Sequence, residues 1–146
     1  MQTIIKHFNQ LTVQELHEIY HLRVSVFVVE QKCPYQEIDD IDPLCYHAYL
    51  KEDGKIVAYI RLIAPGIKFD DASIGRVISI QRRKGYGTLL MKEGIKFIKD
   101  NFATSSITIE AQQYAINFYQ QVGFETISKP FLEDDIPHVK MRLIFK

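Results

Sequence analysis

In the stretch QRRKGYGTLL, three basic side chains, Arg82, Arg83 and Lys84, stand directly before Gly85-Tyr86-Gly87-Thr88, and a leucine-rich run follows. Positive charge, bare backbone and a helix start in so short a span suit a phosphate. The first amides of a helix have no intrahelical acceptor, and the helix dipole favours an anion at that end. Gly85 and Gly87 remove the side chains that would keep a ligand off the backbone. The same fragment also reads as a solvated basic turn. Two familiar phosphate motifs do not match it. A nucleotide P-loop places Lys-Ser or Lys-Thr after its last glycine, where this chain has Thr88-Leu89, and a dinucleotide fingerprint needs a third glycine, where it has Leu90.

Other residues able to do chemistry are scattered. Cys33 and Cys45 match no zinc spacing, and nothing beside Cys33 in the sequence would lower its thiol pKa, so neither a metal site nor a thiol nucleophile is expected. His47 falls in a strand pattern and reads as structural. Glu37, Asp39, Asp40 and Asp42 in YQEIDDIDP, with Glu133, Asp134 and Asp135, read as solvated carboxylates, some of them able to attract a cationic substrate. Tyr119 lies on an apolar helical stripe and by itself reads as core.

The elements that must position these residues are legible from period and punctuation. TIIKHF reads as a strand. Thr12 and Glu15 form a capping box, with Leu11 and Leu16 spaced as a hydrophobic staple. Leu16, Ile19, Tyr20, Val26 and Phe27 continue at helical spacing until Cys33-Pro34, where proline disfavours helix. CYHAYL and KIVAYIRLI flank KEDG, whose Asp53-Gly54 suits a tight hairpin. ASIGRVISI is a further strand. Met91, Ile95, Ile98 and Phe102 make the stripe of a second helix, SITIEA a buried strand, and Ala115, Phe118, Tyr119 and Val122 a third helix closed by Gly123. FETIS and HVKMRLIF close the chain as strands.

The 146 residues suffice for one domain, taken as 1–146, with a real core. Lys+Arg and Asp+Glu are 18 each, and a neutral chain lacks the cation surplus that general nucleic-acid binding needs. No apolar run approaches the roughly 20 residues of a membrane helix, and MQTIIKHFNQ lacks the apolar core of a secretory signal. Two cysteines fit a reduced, cytoplasmic protein. Expected partners exclude nucleic acid and membrane.

With strands and helices in this order, Arg82-x-x-Gly85-x-Gly87 is similar to the coenzyme A signature of the GNAT N-acetyltransferases. Ala115-x-x-Phe118-Tyr119-x-x-x-Gly123-Phe124 resembles the segment after that family's fifth strand. LRVSVFVVEQKCPYQEIDDID, IGRVIS and EDDIPHVKM look like its ElaA-type subgroup. The resemblance spans nearly the whole chain. It implies a mixed α/β fold: a mostly antiparallel twisted sheet flanked by helices, with splayed parallel strands at the coenzyme A cleft. It also implies acetyl transfer from acetyl-CoA, as co-substrate and without a metal, to an amine of a small molecule or peptide. Amides from Arg82 to Thr88 (Arg82, Arg83, Lys84, Gly85, Tyr86, Gly87, Thr88) would hold the pyrophosphate, with Gln112 and Asn117 as further coenzyme contacts. Amides near Val77, Ile78 or Ser79 would polarise the acetyl carbonyl. Tyr119 takes the general-acid position. Glu110, Glu30 and His138 stand open as the base. Phe27, Glu30 and His138 fall on the acceptor side, within Phe27–Asp42 and Glu133–His138. Exposed strand edges could pair two copies as a homodimer. Two other readings are a non-catalytic acyl-CoA-binding module and an acyl-homoserine-lactone synthase. RVSVFVVE has some likeness to the early motif of those synthases, but the tryptophan they carry soon afterwards is absent.

Overall fold

The computed structural model describes residues 2–80 and 84–146. Strand β1 (Thr3–His7) turns into helix α1 (Val13–Val24). The capping box is formed: the Glu15 amide donates to the Thr12 hydroxyl at 3.0 Å, and the Thr12 amide donates to the Glu15 carboxylate at 2.9 Å. The helix does not stop at Val24 but widens into a π-helical segment, Ser25–Glu30, and closes at Lys32, whose φ is +51°. Such widenings are rare and concentrate at functional sites. This one carries buried Phe27 and exposed Glu30.

Strands β2 (Tyr46–Glu52) and β3 (Lys55–Ile63) form the expected hairpin. Asp53 and Gly54 sit at φ +53° and +76°, the handedness a two-residue hairpin turn needs. With β4 (Ser73–Ser79) they complete an antiparallel sheet in the order β1-β2-β3-β4. Helix α2 (Tyr86–Asn101), strand β5 (Ser106–Gln112) and helix α3 (Ile116–Gln121) follow. The remaining strands are β6 (Glu125–Thr126), β7 (Phe131–Glu133) and β8 (Ile136–Ile144), and β8 pairs antiparallel with β5, β6 and β7. Here the sequence reading needs correction. FETIS contributes only two paired residues, and Phe131–Glu133 forms a strand that the sequence reading leaves out. Its turn onto β8 uses Asp134 and Asp135 at φ +49° and +62°. Without a glycine the turn carries no strong punctuation, yet aspartate tolerates the left-handed region.

The two sheets touch through β4 and β5, which run parallel. Their pairing is a single bridge, Ala72 with Ile107, where the Thr108 amide donates to the Ala72 carbonyl at 2.9 Å. Beyond it the strands part. One core, including Ile60, Leu62, Leu90, Met91, Ile107 and Ile109, lies between the sheets and α2. A second, including Ile19, Phe27, Tyr49, Tyr59 and Ile78, packs α1 on the opposite face of the first sheet. Among the described residues no helix is long and apolar enough to cross a membrane.

Candidate active site

A cleft of about 1080 Å³ opens where β4 and β5 part. Val77, Ile78 and Ser79 of β4 line it together with Gly85, Gly87 and Thr88 at the start of α2. Gly85 caps α2 at φ +73°, and the amides of the first turn have no intrahelical acceptor. A Cβ on Gly87 would stand 3.0 Å from Ser79 Cβ, 3.2 Å from Ser79 Oγ and 3.4 Å from a Phe118 ring carbon. The helix start therefore packs against the Ser79 side chain and the Phe118 ring, with no room for a side chain at position 87. Ser79 Oγ is buried and has no hydrogen-bond partner among the described residues. A helix start capped by a left-handed glycine, with free first-turn amides and a buried serine hydroxyl beside it, fits the phosphate-bearing arm of coenzyme A. Tyr86 turns its side chain away from the cleft: it is buried, and its hydroxyl donates to Glu52. Lys84 is exposed and pairs with the same carboxylate at 3.9 Å. Asn117 is exposed and does not line the cleft. Arg82 and Arg83 lie outside the described residues.

β4 is not a regular strand. Tyr59 pairs with Ile78 but Arg61 with Gly75, so β4 carries one extra residue there. Arg76, in the bulge, has φ +53°. Its guanidinium reaches the loop after α1, where Nε donates to Glu37 Oε2 and Nη2 donates to the Glu37 carbonyl at 2.9 Å. Glu37 also accepts from Arg23 Nε at 3.0 Å. Arg23 holds Asp42 by two bonds, 2.7 and 3.0 Å, and Arg61 bridges Asp39 and Asp42 at 2.8 and 2.9 Å. The sequence reading places solvated carboxylates along this loop. Asp40 is exposed, but Glu37 and Asp42 are buried, because three arginines from α1, β3 and β4 converge on them. The signal lay in the arginines: Arg23, Arg61 and Arg76 each interrupt a run otherwise suited to burial, opposite a loop of carboxylates.

His47 completes this cluster as a structural residue. Its Nε2 donates to the Asp42 carbonyl at 3.1 Å and its Nδ1 accepts from the Tyr59 hydroxyl at 2.7 Å. Burial pulls its pKa from 6.5 down to about 4. The unfolded chain therefore takes up a proton that the folded one refuses, and stability falls as pH drops from 6.5 through 4. Burial would raise Glu15, but hydrogen bonds from the Thr12 amide, Tyr49 and Lys6 outweigh it and bring the carboxyl down to about 2. Its share of stability is lost between 4.5 and 2. Urea titrations across pH should show stability declining from 6.5 to 4 by on the order of 3 kcal/mol on account of His47. His47→Gln should flatten that interval, and an unchanged slope would disprove the assignment.

On the acceptor side, β5 alternates. Ile107, Ile109 and Ala111 enter the core, leaving Glu110 and Gln112 on the other face. Both line the cleft, as do Phe27, Glu30, Tyr119 and His138. Gln112 stands opposite His138 in the β5–β8 register, and its amide exchanges two long bonds of 3.4 Å with Gln31, just past the π-helical segment. Glu110 is ion-paired to Lys68 at 2.8 Å, a partner the sequence reading does not include. His138 is buried and stacked on Phe131. Its Nδ1 lies 2.7 Å from the Ile136 carbonyl and its Nε2 3.7 Å from Glu133. A carbonyl only accepts, so Nδ1 is the donor of that hydrogen bond. Tyr119 is 9% exposed, held edge-on between Phe118 and Phe124, and burial raises its phenol above the ordinary 10. Cys33 is a free thiol whose pKa desolvation raises, with Asp134 and Asp135 adding to the effect, so it lacks the thiolate character of a nucleophile. Among the described residues no group of His, Cys, Asp or Glu is arranged to hold a metal ion.

The chain is similar to known proteins in sequence and fold. The family model described as an acetyltransferase (GNAT) domain matches residues 10–145. A UPF0039 protein of Schizosaccharomyces pombe is 45% identical over 98% of this chain and 97% of its own. The crystal structure of Escherichia coli ElaA superposes with a TM-score of 0.89 at 32% identity, covering 97% of this chain and 98% of that one. An acyl-CoA N-acyltransferase from Pseudomonas aeruginosa superposes at 0.88 with 37% identity, covering 98% and 99%.

Proposed function

Because the chain belongs to the GNAT acetyltransferase family, we propose that it passes the acetyl group of acetyl-CoA to the amine of a small molecule or peptide by direct attack. The observation that carries this reading is that the start of α2, Gly85 to Thr88, whose first-turn amides have no intrahelical acceptor, lines one cleft with Val77 to Ser79 beside the parting of β4 and β5. Acetyl-CoA supplies the activated acyl carbon. The chain supplies the rest. The amides of Gly85 to Thr88 hold the diphosphate. Amides on the free edge of β4, near Val77 to Ser79, face the carbonyl oxygen that gains charge. An amine is protonated at neutral pH and must lose a proton before it attacks. We assign that proton to His138 Nε2, whose ring is fixed by the Ile136 carbonyl and whose partner Glu133, 3.7 Å away, would stabilise the imidazolium; Glu110 is paired more closely with Lys68 at 2.8 Å, and Glu30 is exposed. As nitrogen bonds to the acyl carbon and the carbon–sulfur bond breaks, Tyr119 protonates the departing sulfur, and the second proton, lost from the new amide nitrogen, restores the phenol.

Titration calorimetry with acetyl-CoA, paired with thiol release over a panel of polyamines, amino acids, aminoglycosides and peptides, tests the reading. Saturable binding and amine-dependent thiol release are expected. Binding without turnover on any amine would make the protein a non-catalytic acyl-CoA module, and no binding would refute both.

A further inference from the structure

We propose that Arg76 is a positioning residue for acyl transfer: it fixes the bulge of β4 that aims the Val77 amide into the cleft, and it locks that bulge to the loop bordering the acceptor side. The inference rests on the reading of the cleft as an acetyl-CoA site.

Three observations carry it. The first is the backbone. Ile80 donates its amide to the Val57 carbonyl at 2.8 Å across the β3–β4 ladder. Amides alternate along a strand, so Ser79 presents its amide to the free edge and, two residues earlier, so does Val77. The Arg76–Val77 peptide plane is set by the backbone angles of Arg76, the residue at φ +53°. A left-handed conformation is unfavourable for an L side chain and persists where the surroundings over-determine it.

The second observation is what over-determines it. The Arg76 guanidinium is held at Glu37 by its carboxylate and its carbonyl, at Asp39 by a 3.4 Å contact, and over the Tyr35 ring at 5.6 Å. The third is that Glu37 is itself immobilised. It is buried, bound by Arg23, and its loop is pinned again where Arg23 and Arg61 share Asp42. Buried ion pairs contribute little net stability because desolvation offsets the attraction, whereas they can fix one arrangement among several. Tyr35, Gln36 and Asp39 of the loop and Arg76 itself line the cleft. The loop that meets the acceptor and the strand that meets the thioester therefore share one fastening.

Arg76→Gly separates the fastening from the backbone, since glycine adopts the same φ freely but cannot hold Glu37. The readout that a merely structural role would not move is the carbonyl stretch of bound [1-13C]acetyl-CoA, which needs no knowledge of the acceptor. In the wild type the hydrogen-bonded carbonyl should absorb below its frequency in solution. In Arg76→Gly the band should return toward the free value and thiol release should fall by about 10²-fold, with acetyl-CoA affinity unchanged. Arg76→Lys keeps the charge without the planar fork. It should move the band in the same direction by less, and it decides the matter if the glycine variant does not fold. Wild-type binding with an unmoved band and rate in the folded variants overturns this inference alone. A wild type without affinity for acetyl-CoA overturns the functional reading and this inference with it.

Discussion

Gly87→Val should abolish acetyl-CoA binding in titration calorimetry while the circular dichroism of the folded protein stays in place. The Cβ would already stand 3.0 Å from Ser79 Cβ, so either the strand end or the helix start must retreat. The two γ-carbons would press further on Ser79 and Phe118 and shift the first-turn amides from the positions that a diphosphate would meet. Hydrogen bonds from backbone amides to a charged group contribute about 1.5–3 kcal/mol each, so losing even two of them costs at least about 10²-fold in affinity. Gly85 provides the contrast. A Cβ there meets nothing within 4 Å among the described residues, and its requirement is the left-handed φ of +73°. Gly85→Ala should therefore lower stability by about 1–2 kcal/mol and weaken binding far less than Gly87→Val. Acetyl-CoA affinity that survives Gly87→Val would place the coenzyme elsewhere.

The contrast also marks what one sequence can disclose. The glycine stretch, the Thr12–Glu15 box and the Asp53-Gly54 turn are local devices whose residues and spacing state their geometry, and they appear in the structure where the sequence puts them. The arginine cluster is not local. Arg23 and Glu37 are 14 residues apart and Arg76 and Glu37 are 39 apart, so their pairing depends on how the sheet folds. Without that knowledge a carboxylate is read as solvated, since unpaired ones are rarely buried. The same distance hides the Lys68–Glu110 pair, which changes the standing of Glu110 as a base. The bulge at Arg76 is silent for another reason. GRVIS has the alternation of a plain strand, and nothing in it announces a left-handed arginine. Resemblance to a family could supply Tyr119 and the β4 amides as candidates; only coordinates show what holds them.

Tyr119→Phe should lower kcat by on the order of 10²- to 10³-fold and leave acetyl-CoA affinity unaltered. The ring is fixed by Phe118 at 5.1 Å and Phe124 at 6.1 Å, so phenylalanine keeps the packing and loses only the hydroxyl. A core tyrosine with no chemical role would show the reverse, a change in stability with little change in turnover. The pH dependence separates the two further. Burial disfavours the phenolate, so the phenol pKa lies above its ordinary 10. An acid must hold its proton to give it away. The Tyr119 contribution should therefore be constant from neutral pH to beyond 10 and disappear only as the phenol ionises. In Tyr119→Phe that alkaline decline should be missing, because no proton remains to be lost. The residual rate should also recover with acyl donors whose leaving thiol has a lower pKa, since such a thiolate departs without help. If Tyr119→Phe turns over within a small factor of the wild type on natural acetyl-CoA, the sulfur leaves unprotonated, and the phenol is a packing residue that happens to face the cleft.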